Sequence, residues 1–193
     1  MNIKIPKTQY PVSEIVKNRW SARSFTGEGI NEATLHTLFE AASWAASSMN
    51  EQPWLFTYAH KEDEAAFEKF HSCLLSGNSP WAKNASVLIL LCARTNFVTN
   101  GKPNRHAMFD CGAATTTLFL EAVQHNILGH MMGGFDMVKT KELFNLPEDL
   151  EPCIFIALGQ LAAPDLLEEP FKTREITPRS RKPVSEIAFK NHF

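Results

Sequence analysis

Hydrophobic residues recur along the chain with two spacings, which predict helices and strands in alternation. Spacings of three and four residues predict four helices, over 12–19, 32–46, 62–75 and 105–125. A fifth, short helix is expected to begin after Asp136 and to end before Pro147. Apolar or alternating runs of strand length predict four strands, over 54–59, 86–93, 127–132 and 153–159.

The run at 86–93 (SVLILLCA) is the most apolar of these segments. A strand of this kind has no face for water, so we expect it to be central and covered on both sides. With helices between the strands, the pattern predicts one sheet covered by helices, in the α/β or α+β class.

The pattern changes near residue 160, where a proline-rich and basic segment begins. Four prolines predict an extended arm over 160–193 with little room for helix: Pro164, Pro170, Pro178 and Pro183. Residues 171–193 hold six basic and two acidic side chains, whereas the whole chain has a net charge of −2. An arm this long in a compact domain should be disordered or pack on something such as another subunit. Its charge predicts an anionic partner.

Length and composition exclude several classes of protein. A chain of 193 residues fits a single domain, 1–193, of which the arm is part. No apolar run approaches the length of a membrane span, and the first residues lack the apolar core of a signal peptide. The four cysteines are far apart and are expected to be free thiols, so we expect a cytoplasmic location. The small net charge argues against nucleic-acid binding.

Known catalytic motifs are missing from the sequence. It contains no G-x-G-x-x-G, P-loop, H-E-x-x-H or G-x-S-x-G pattern. The seven histidines show no ligand spacing, so we expect them at surface or capping positions and expect no metal site.

Four clusters of residues remain as candidates for ligand binding. The turn at 19–25 (RWSARSF) offers two guanidiniums and hydroxyls that suit a phosphate or a polyol, or else it is a basic helix cap. The loop at 46–54 (ASSMNEQPW) can bond the edge of a planar heterocycle, or is an ordinary turn. The glycine pair in 131–136 (MMGGFD) lets the backbone approach a flat group. Arg179 and Arg181 lie on one side of an extended chain, as a phosphate clamp or a solvated tail.

The order and content of these four clusters resemble the nitroreductase family of FMN enzymes. The resemblance runs from about Val12 to Ile187 and rests on R-x-S-x-R, S-S-x-N-x-Q-P-W, G-G-F-D and R-S-R. It implies an α+β fold with a mixed sheet covered by helices. It also implies a homodimer in which the 105–125 helix lies at the interface and the C-terminal arm is exchanged.

The resemblance also implies a set of FMN contacts. The phosphate, ribityl chain and pyrimidine edge would be held by Arg19, Trp20 (through its backbone), Ser21, Arg23, Arg179 and Arg181. The other subunit would contribute Ser47, Ser48 and Asn50. The isoalloxazine would lie along Met132, Gly133 and Gly134, and Asn78 is a weaker match to a further polar contact.

The activity implied is an NAD(P)H-dependent oxidoreductase in which bound FMN passes electrons to an electron-poor acceptor such as a nitroaromatic or a quinone. The flavin carries the redox chemistry, which agrees with the absence of a side-chain nucleophile. Arg23 would stabilise the anionic reduced flavin. Two alternatives stay open: an FMN-binding module without turnover, and a fold relative that performs dehalogenation or flavin breakdown.

Overall fold

Four strands form the sheet at the centre of the molecule, a computed structural model that describes residues 3–192. The strands are β1 (Trp54–His60), β2 (Val87–Arg94), β3 (Ile127–Met132) and β4 (Leu150–Gln160), in the order β1-β2-β4-β3. The α+β class is confirmed. The three strand pairs of the described chain are all antiparallel, so the sheet is antiparallel where a mixed sheet was expected. The ends of the expected domain, residues 1, 2 and 193, lie outside the described residues.

The two central strands explain the apolar runs in the sequence. In β2, every residue but Arg94 is buried, which confirms a strand covered on both faces. The last strand is longer than the apolar run that predicted it. Pro152 has no amide hydrogen for the ladder, and the pairing continues past it because the register shifts opposite Leu91 and Cys92.

Seven helices of the described chain pack around the sheet. They are α1 (Glu14–Asn18), α2 (Glu32–Ser43), α3 (Glu64–His71), α4 (Ser79–Ala82), α5 (Ala107–Gln124), α6 (Met137–Leu143) and α7 (Phe171–Ile176). Side-chain caps set three of the starts. Asn31, Asp63 and Asp136 each accept a hydrogen bond from the backbone N–H three residues later. Thus α3 begins two residues later than its periodicity suggested, and α2 ends three residues early, where the polar loop starts.

Two hydrophobic clusters lie on opposite faces of the sheet. One is built by α2 and α5, with Leu35, Leu38 and Phe119 buried against Ile89 and Ile156 of the strands. The other contains many aromatic side chains, among them Trp20, Phe25, Phe70, Trp81 and Phe155. The candidate arginine turn therefore belongs to the aromatic face.

The arm is more structured than its prolines predicted. The expectation of an arm with little room for helix is wrong over residues 171–176, which form α7. Pro170 occupies the cap position of that helix, where a missing N–H costs nothing. Phe171 is buried in the aromatic cluster and anchors the helix. Residues 180–192 are all exposed.

Candidate functional site

The turn at residues 19–25 is held at both ends by the aromatic cluster. Trp20 is buried under the ammonium group of Lys4, which lies 4.9 Å from the ring centre. Phe25 is buried with its ring against Gly159, where a Cβ would come within 2.8 Å of the ring. The hydroxyl of Ser24 donates to the carbonyl of Ala163 at 2.6 Å. The backbone of the turn is therefore fixed before any ligand binds.

Glu175 of α7 supplies a further anchor from the arm. Its Oε1 atom accepts hydrogen bonds from the backbone N–H groups of Arg23 and Ser24, at 2.9 and 3.0 Å. Its Oε2 atom lies 3.9 Å from Nη1 of Arg23. Burial lowers the pKa of the Arg23 guanidinium, and the carboxylate of Glu175 opposes that effect. Sequence reasoning missed this residue, because it lies in a segment expected to be an extended arm with little room for helix.

Three predicted arginines converge beside the turn. Arg19 is the C-terminal cap residue of α1. Arg179 lies close by, and its Nη1 donates to the carbonyls of Lys4 and Lys17 at 3.2 and 2.6 Å. Burial lowers the pKa of Arg19 and of Arg179, and in both cases the charge of Arg181 lowers it further. The three guanidiniums carry like charges that repel one another, and such a cationic cluster suits an anionic ligand.

A cleft of about 410 Å³ adjoins two of the three arginines, Arg179 and Arg181. The N-terminal segment forms one wall with Tyr10 and Val12, and the arm forms the other with Arg179 and Arg181. A wider cavity of about 810 Å³ lies elsewhere. Its lining includes Glu32, Glu62, Asp63 and Glu64, so its charge is wrong for a phosphate group.

The glycine pair after β3 forms a third part of the site. The side-chain amide of Asn78 donates to the carbonyl of Gly134 at 3.0 Å, so the weaker sequence match is brought to the predicted loop. A Cβ added at Gly133 would meet no protein atom of the described chain within 4 Å. The side chain of Met132 is 1% exposed and packs in the aromatic cluster, which leaves its backbone as the part that faces a ligand.

His130 is a neighbour of the turn that the sequence reasoning assigned to the surface or a cap. That expectation is wrong for this residue, which is buried in β3 and has its Nδ1 atom 2.9 Å from the carbonyl oxygen of Ala22. Its ring lies 4.6 Å from that of Trp81. Burial, reinforced by the charge of Arg23, lowers its pKa to about 4, so the ring is neutral at neutral pH.

The polar loop after α2 lies apart from the other clusters. Ser47 and Ser48 are half-buried and Asn50 is exposed. The backbone N–H of Ser48 donates to Oδ2 of Asp110 at 3.1 Å. Asp110 is a buried acid near the start of α5. Asp110 was not among the predicted residues. The sequence feature that could have indicated it is a single acidic residue on the apolar side of a helix.

Helix α5 separates the two parts of the predicted site. Asp110 contacts the loop near the start of the helix, whereas Val123 near its end lines a cavity with Trp20 and Asn18. At 1.5 Å per residue these positions are about 20 Å apart along the helix axis. The structure thus brings together residues 19–23, 179 and 181, and it does not bring Ser47, Ser48 and Asn50 to them within one chain.

Comparison with known proteins identifies the class to which this fold and site belong. The nitroreductase family model matches residues 16–160. An uncharacterized 15.4 kDa protein of Mycolicibacterium smegmatis is 35% identical over 133 residues, which is 69% of this chain and 87% of that protein. A provisionally named NADH dehydrogenase/NAD(P)H nitroreductase of Archaeoglobus fulgidus is 27% identical over 150 residues, 76% of this chain and 83% of that protein. The chain belongs to the nitroreductase family.

Solved structures agree with this assignment. A crystal structure described as an oxidoreductase containing FMN has a TM-score of 0.91 and 35% identity, covering 97% of this chain and 95% of its own. A nitroreductase-type protein of Exiguobacterium sibiricum in complex with FMN has a TM-score of 0.74 and 20% identity, covering 96% and 100%, and supports the fold.

Two other kinds of feature are absent from the described part of the chain. Within 3–192, His, Cys, Asp and Glu side chains form no group of three or more suited to a metal ion. Among the same residues, no helix has the length and apolar character needed to cross a membrane.

Proposed function

We propose that this protein is an FMN-dependent oxidoreductase that passes electrons from NAD(P)H to an electron-poor acceptor such as a nitroaromatic or a quinone. The observation that carries the proposal is the convergence of Arg19, Arg179 and Arg181 from two distant parts of the chain. Arg179 donates to the carbonyl of Lys17, close to Arg19 in the chain, at 2.6 Å, and it lines one cleft with Arg181. FMN ends in a phosphate, and three guanidiniums provide charge-assisted hydrogen bonds for that group. The FMN-containing relative with 35% identity supports the choice of cofactor.

The residues present fit the remaining parts of FMN. Ser21 and the backbone of Trp20 lie between Arg19 and Arg23, where the ribityl hydroxyls need donors and acceptors. Open space beside Gly133 suits a flat ring system, since a side chain there would fill it. Asn78 holds the adjoining Gly134 carbonyl and so fixes the loop that faces this space.

FMN would supply the hydride acceptor and donor, so the protein needs to bind, orient and tune it. Arg23 is the residue we assign to tuning. Its guanidinium lies 6.0 Å from the ring centre of Trp81 and is anchored through its own backbone N–H by Glu175. A fixed positive charge of this kind favours the anionic reduced form of a flavin.

We propose a homodimer in which each site takes residues from two chains. One set of exposed apolar side chains lies around the start of α5 and the end of α2: Trp44, Met49, Met108 and Phe109. Trp44 and Phe109 are each 80% exposed, which is unusual for large aromatic residues and typical of an interface. A partner packed here would bring its Ser47, Ser48 and Asn50 to the arginines of the first chain. Exchange of the end of the arm beyond Arg181, residues 182–192, is part of the same proposal.

The reductant and the compartment complete the proposal. Names of relatives include NADH and NAD(P)H, and either nucleotide is compatible with the basic residues near the cleft. The four cysteines are free thiols, which suits a reducing compartment such as the cytoplasm.

The absorption spectrum of the purified protein, followed by turnover, tests the proposal. We expect flavin bands, release of FMN and not FAD on denaturation, and NAD(P)H oxidation that depends on an added quinone or nitroaromatic. FMN binding without turnover would instead indicate a binding module. Consumption of FMN itself in oxygen would indicate flavin breakdown. A protein that takes up no FMN would contradict the proposal entirely.

A further inference from the structure

Glu175 combines deep burial with incomplete hydrogen bonding. It is 3% exposed, although it lies on a short surface helix. Oε1 accepts two backbone hydrogen bonds from the turn, but Oε2 has no hydrogen-bond partner among the described residues. Burying a carboxylate is costly unless a nearby cation compensates it. The guanidinium of Arg23, 3.9 Å from Oε2, lies close enough to do so.

Two other cations lie near the pair. The ammonium of Lys4 is close enough that the charge of Glu175 opposes the lowering of the Lys4 pKa by burial, and it donates hydrogen bonds to the carbonyls of Arg174 and Thr177 on either side of Glu175. Arg174 has its guanidinium 5.9 Å from the ring centre of Phe171 and affects Arg23 as a like charge. Arg23 forms an ion pair with Glu175, with its Nη1 atom 3.9 Å from Oε2.

The carboxylate therefore acts on the turn in two ways. It fixes the backbone of Arg23 and Ser24 through Oε1, and through Oε2 it offsets part of the charge that Arg23 presents. A turn anchor alone would need only a neutral acceptor, such as the amide oxygen of a glutamine. The negative charge is the feature that anchoring leaves unexplained.

We propose that Glu175 is a positioning residue that holds Arg23 beside the flavin and limits how strongly its positive charge favours the reduced form. This inference rests on the proposed function, because it requires FMN next to Arg23. It adds a residue from the arm that opposes the effect of Arg23. The reduction potential of the bound FMN is then set by the pair and not by the arginine alone.

Glu175→Gln is the main test, because the amide keeps an acceptor for the two backbone N–H groups and removes the charge. We expect the variant to favour reduced over oxidised FMN by about tenfold more than the wild type, the order of effect of a unit charge about 12 Å away at an effective dielectric constant of about 20. For a two-electron couple this equals a rise of about 30 mV in midpoint potential. Arg23→Ala should shift the potential in the opposite direction. Potentiometric titration of the FMN-loaded protein measures both shifts.

Two further variants make the result specific. Glu168→Gln makes the same charge change at an exposed position of the same arm, and its potential should match that of the wild type. Arg23→Ala/Glu175→Gln removes both charges of the pair, and its potential should lie above that of Arg23→Ala. That last comparison still tests the charge of Glu175 if Glu175→Gln alone does not fold.

The outcomes separate this inference from the proposed function. A wild-type protein that takes up no FMN overturns both. A wild type that binds FMN, with a potential unchanged in Glu175→Gln or equal in Arg23→Ala and the double variant, overturns the role of Glu175 alone. Reduced stability of Glu175→Gln with an unchanged potential would mean that the residue is a structural anchor and nothing more.

Discussion

The turn at residues 19–25 and the loop at residues 47–52 both carry polar groups predicted to hold one ligand, yet the chain holds them very differently. The turn is bonded to Ala163 beyond the end of β4, to α7 and to β3, with contacts through Ser24, Glu175 and His130. The loop makes two hydrogen bonds to distant parts of the described chain: the Ser48 N–H donates to Asp110, and the Val98 N–H donates to Glu51. One half of the site is built by its own chain, and the other half is presented outward.

Backbone conformation reinforces this difference. Met49, Asn50 and Gln52 have positive φ angles of 55°, 55° and 52°, which non-glycine residues adopt at some energetic cost. Met49 is also 85% exposed. Strain and exposure together in a loop are typical of a functional segment that completes its contacts elsewhere. This difference fits the proposal that the turn holds FMN within its own chain and that the loop acts across an interface.

Removing the arginine cluster should produce the largest effect, because it breaks the built half of the site. Arg19→Ala, Arg179→Ala and Arg181→Ala each remove a hydrogen bond to a charged group, about 1.5–3 kcal/mol, so FMN affinity should fall roughly ten- to a hundredfold. Titration with FMN measures the change. Arg181→Ala is the clearest case, since its guanidinium bonds only the adjacent Ser180 carbonyl in the described protein. Lys190→Ala on the same arm is the control, and equal affinity in both variants would assign Arg181 to a solvated tail.

The folded protein should become less stable in acid because His130, which contacts the turn, is disfavoured in its protonated form. His130 is buried and neutral with a pKa of about 4, against 6.5 for an unfolded histidine. Its contribution to the free energy of unfolding is therefore complete above pH 6.5 and is lost as the pH falls toward 4. The loss should reach about 3 kcal/mol of unfolding free energy. The free energy of unfolding of His130→Gln should vary less with pH over this range than that of the wild type, whatever its absolute value. Urea unfolding at several pH values gives both slopes, and equal slopes would contradict the assignment.

The open space beside Gly133 is a further way to test the built half. Because an added Cβ meets no atom of the described protein within 4 Å, the free energy of unfolding of Gly133→Val should lie within about 0.5 kcal/mol of that of the wild type. If the flavin lies along this backbone, the same variant should bind FMN about tenfold more weakly. Gly77→Val also adds a side chain into open space and serves as the control. Unaltered FMN affinity in Gly133→Val would move the flavin away from this loop.

The charge of Arg23 should have a smaller effect on binding than on redox behaviour. Arg23→Ala is expected to bind FMN moderately and to lower its midpoint potential by about 30 mV, which is tenfold in the relative affinity for the reduced form. Redox titration against a reference dye measures it. A potential equal to that of the wild type would place Arg23 away from the pyrimidine end.

Sequence reasoning recovered the repeating parts of the fold and missed those that depend on tertiary contact. Periodicity located all four strands, and β3 was predicted with its observed ends. It missed α7, because Phe171 and Glu175 are stabilised by burial and by bonds to residues some 150 positions away. It also misplaced His130, since nothing in ILGHMM reveals that the ring meets Trp81 and the turn.

The candidate site shows the same division. The arginines that converge were predicted as separate clusters, and the resemblance to a family was needed to join them. Spacing along the chain does not report which clusters share a helix end and which lie about 20 Å apart on α5. Asp110 and Glu175, the two buried acids that anchor the loop and the turn, have no pattern that distinguishes them from solvated acids.

The smallest signal, and the most direct test of the two halves, comes from mixing chains. If Arg19 and Arg23 come from one subunit and Ser47, Ser48 and Asn50 from the other, then lesions in the two halves should complement each other. Arg19→Ala and Asn50→Ala chains are refolded in equal amounts, after each homodimer is shown to be folded but impaired. Random pairing makes half of the dimers mixed, and each mixed dimer has one site with both lesions and one with neither. About one quarter of all sites should therefore regain FMN binding and activity. Sites made by single chains would each keep one lesion, so no recovery, with mixed dimers demonstrated by mass spectrometry, would rule out the shared site.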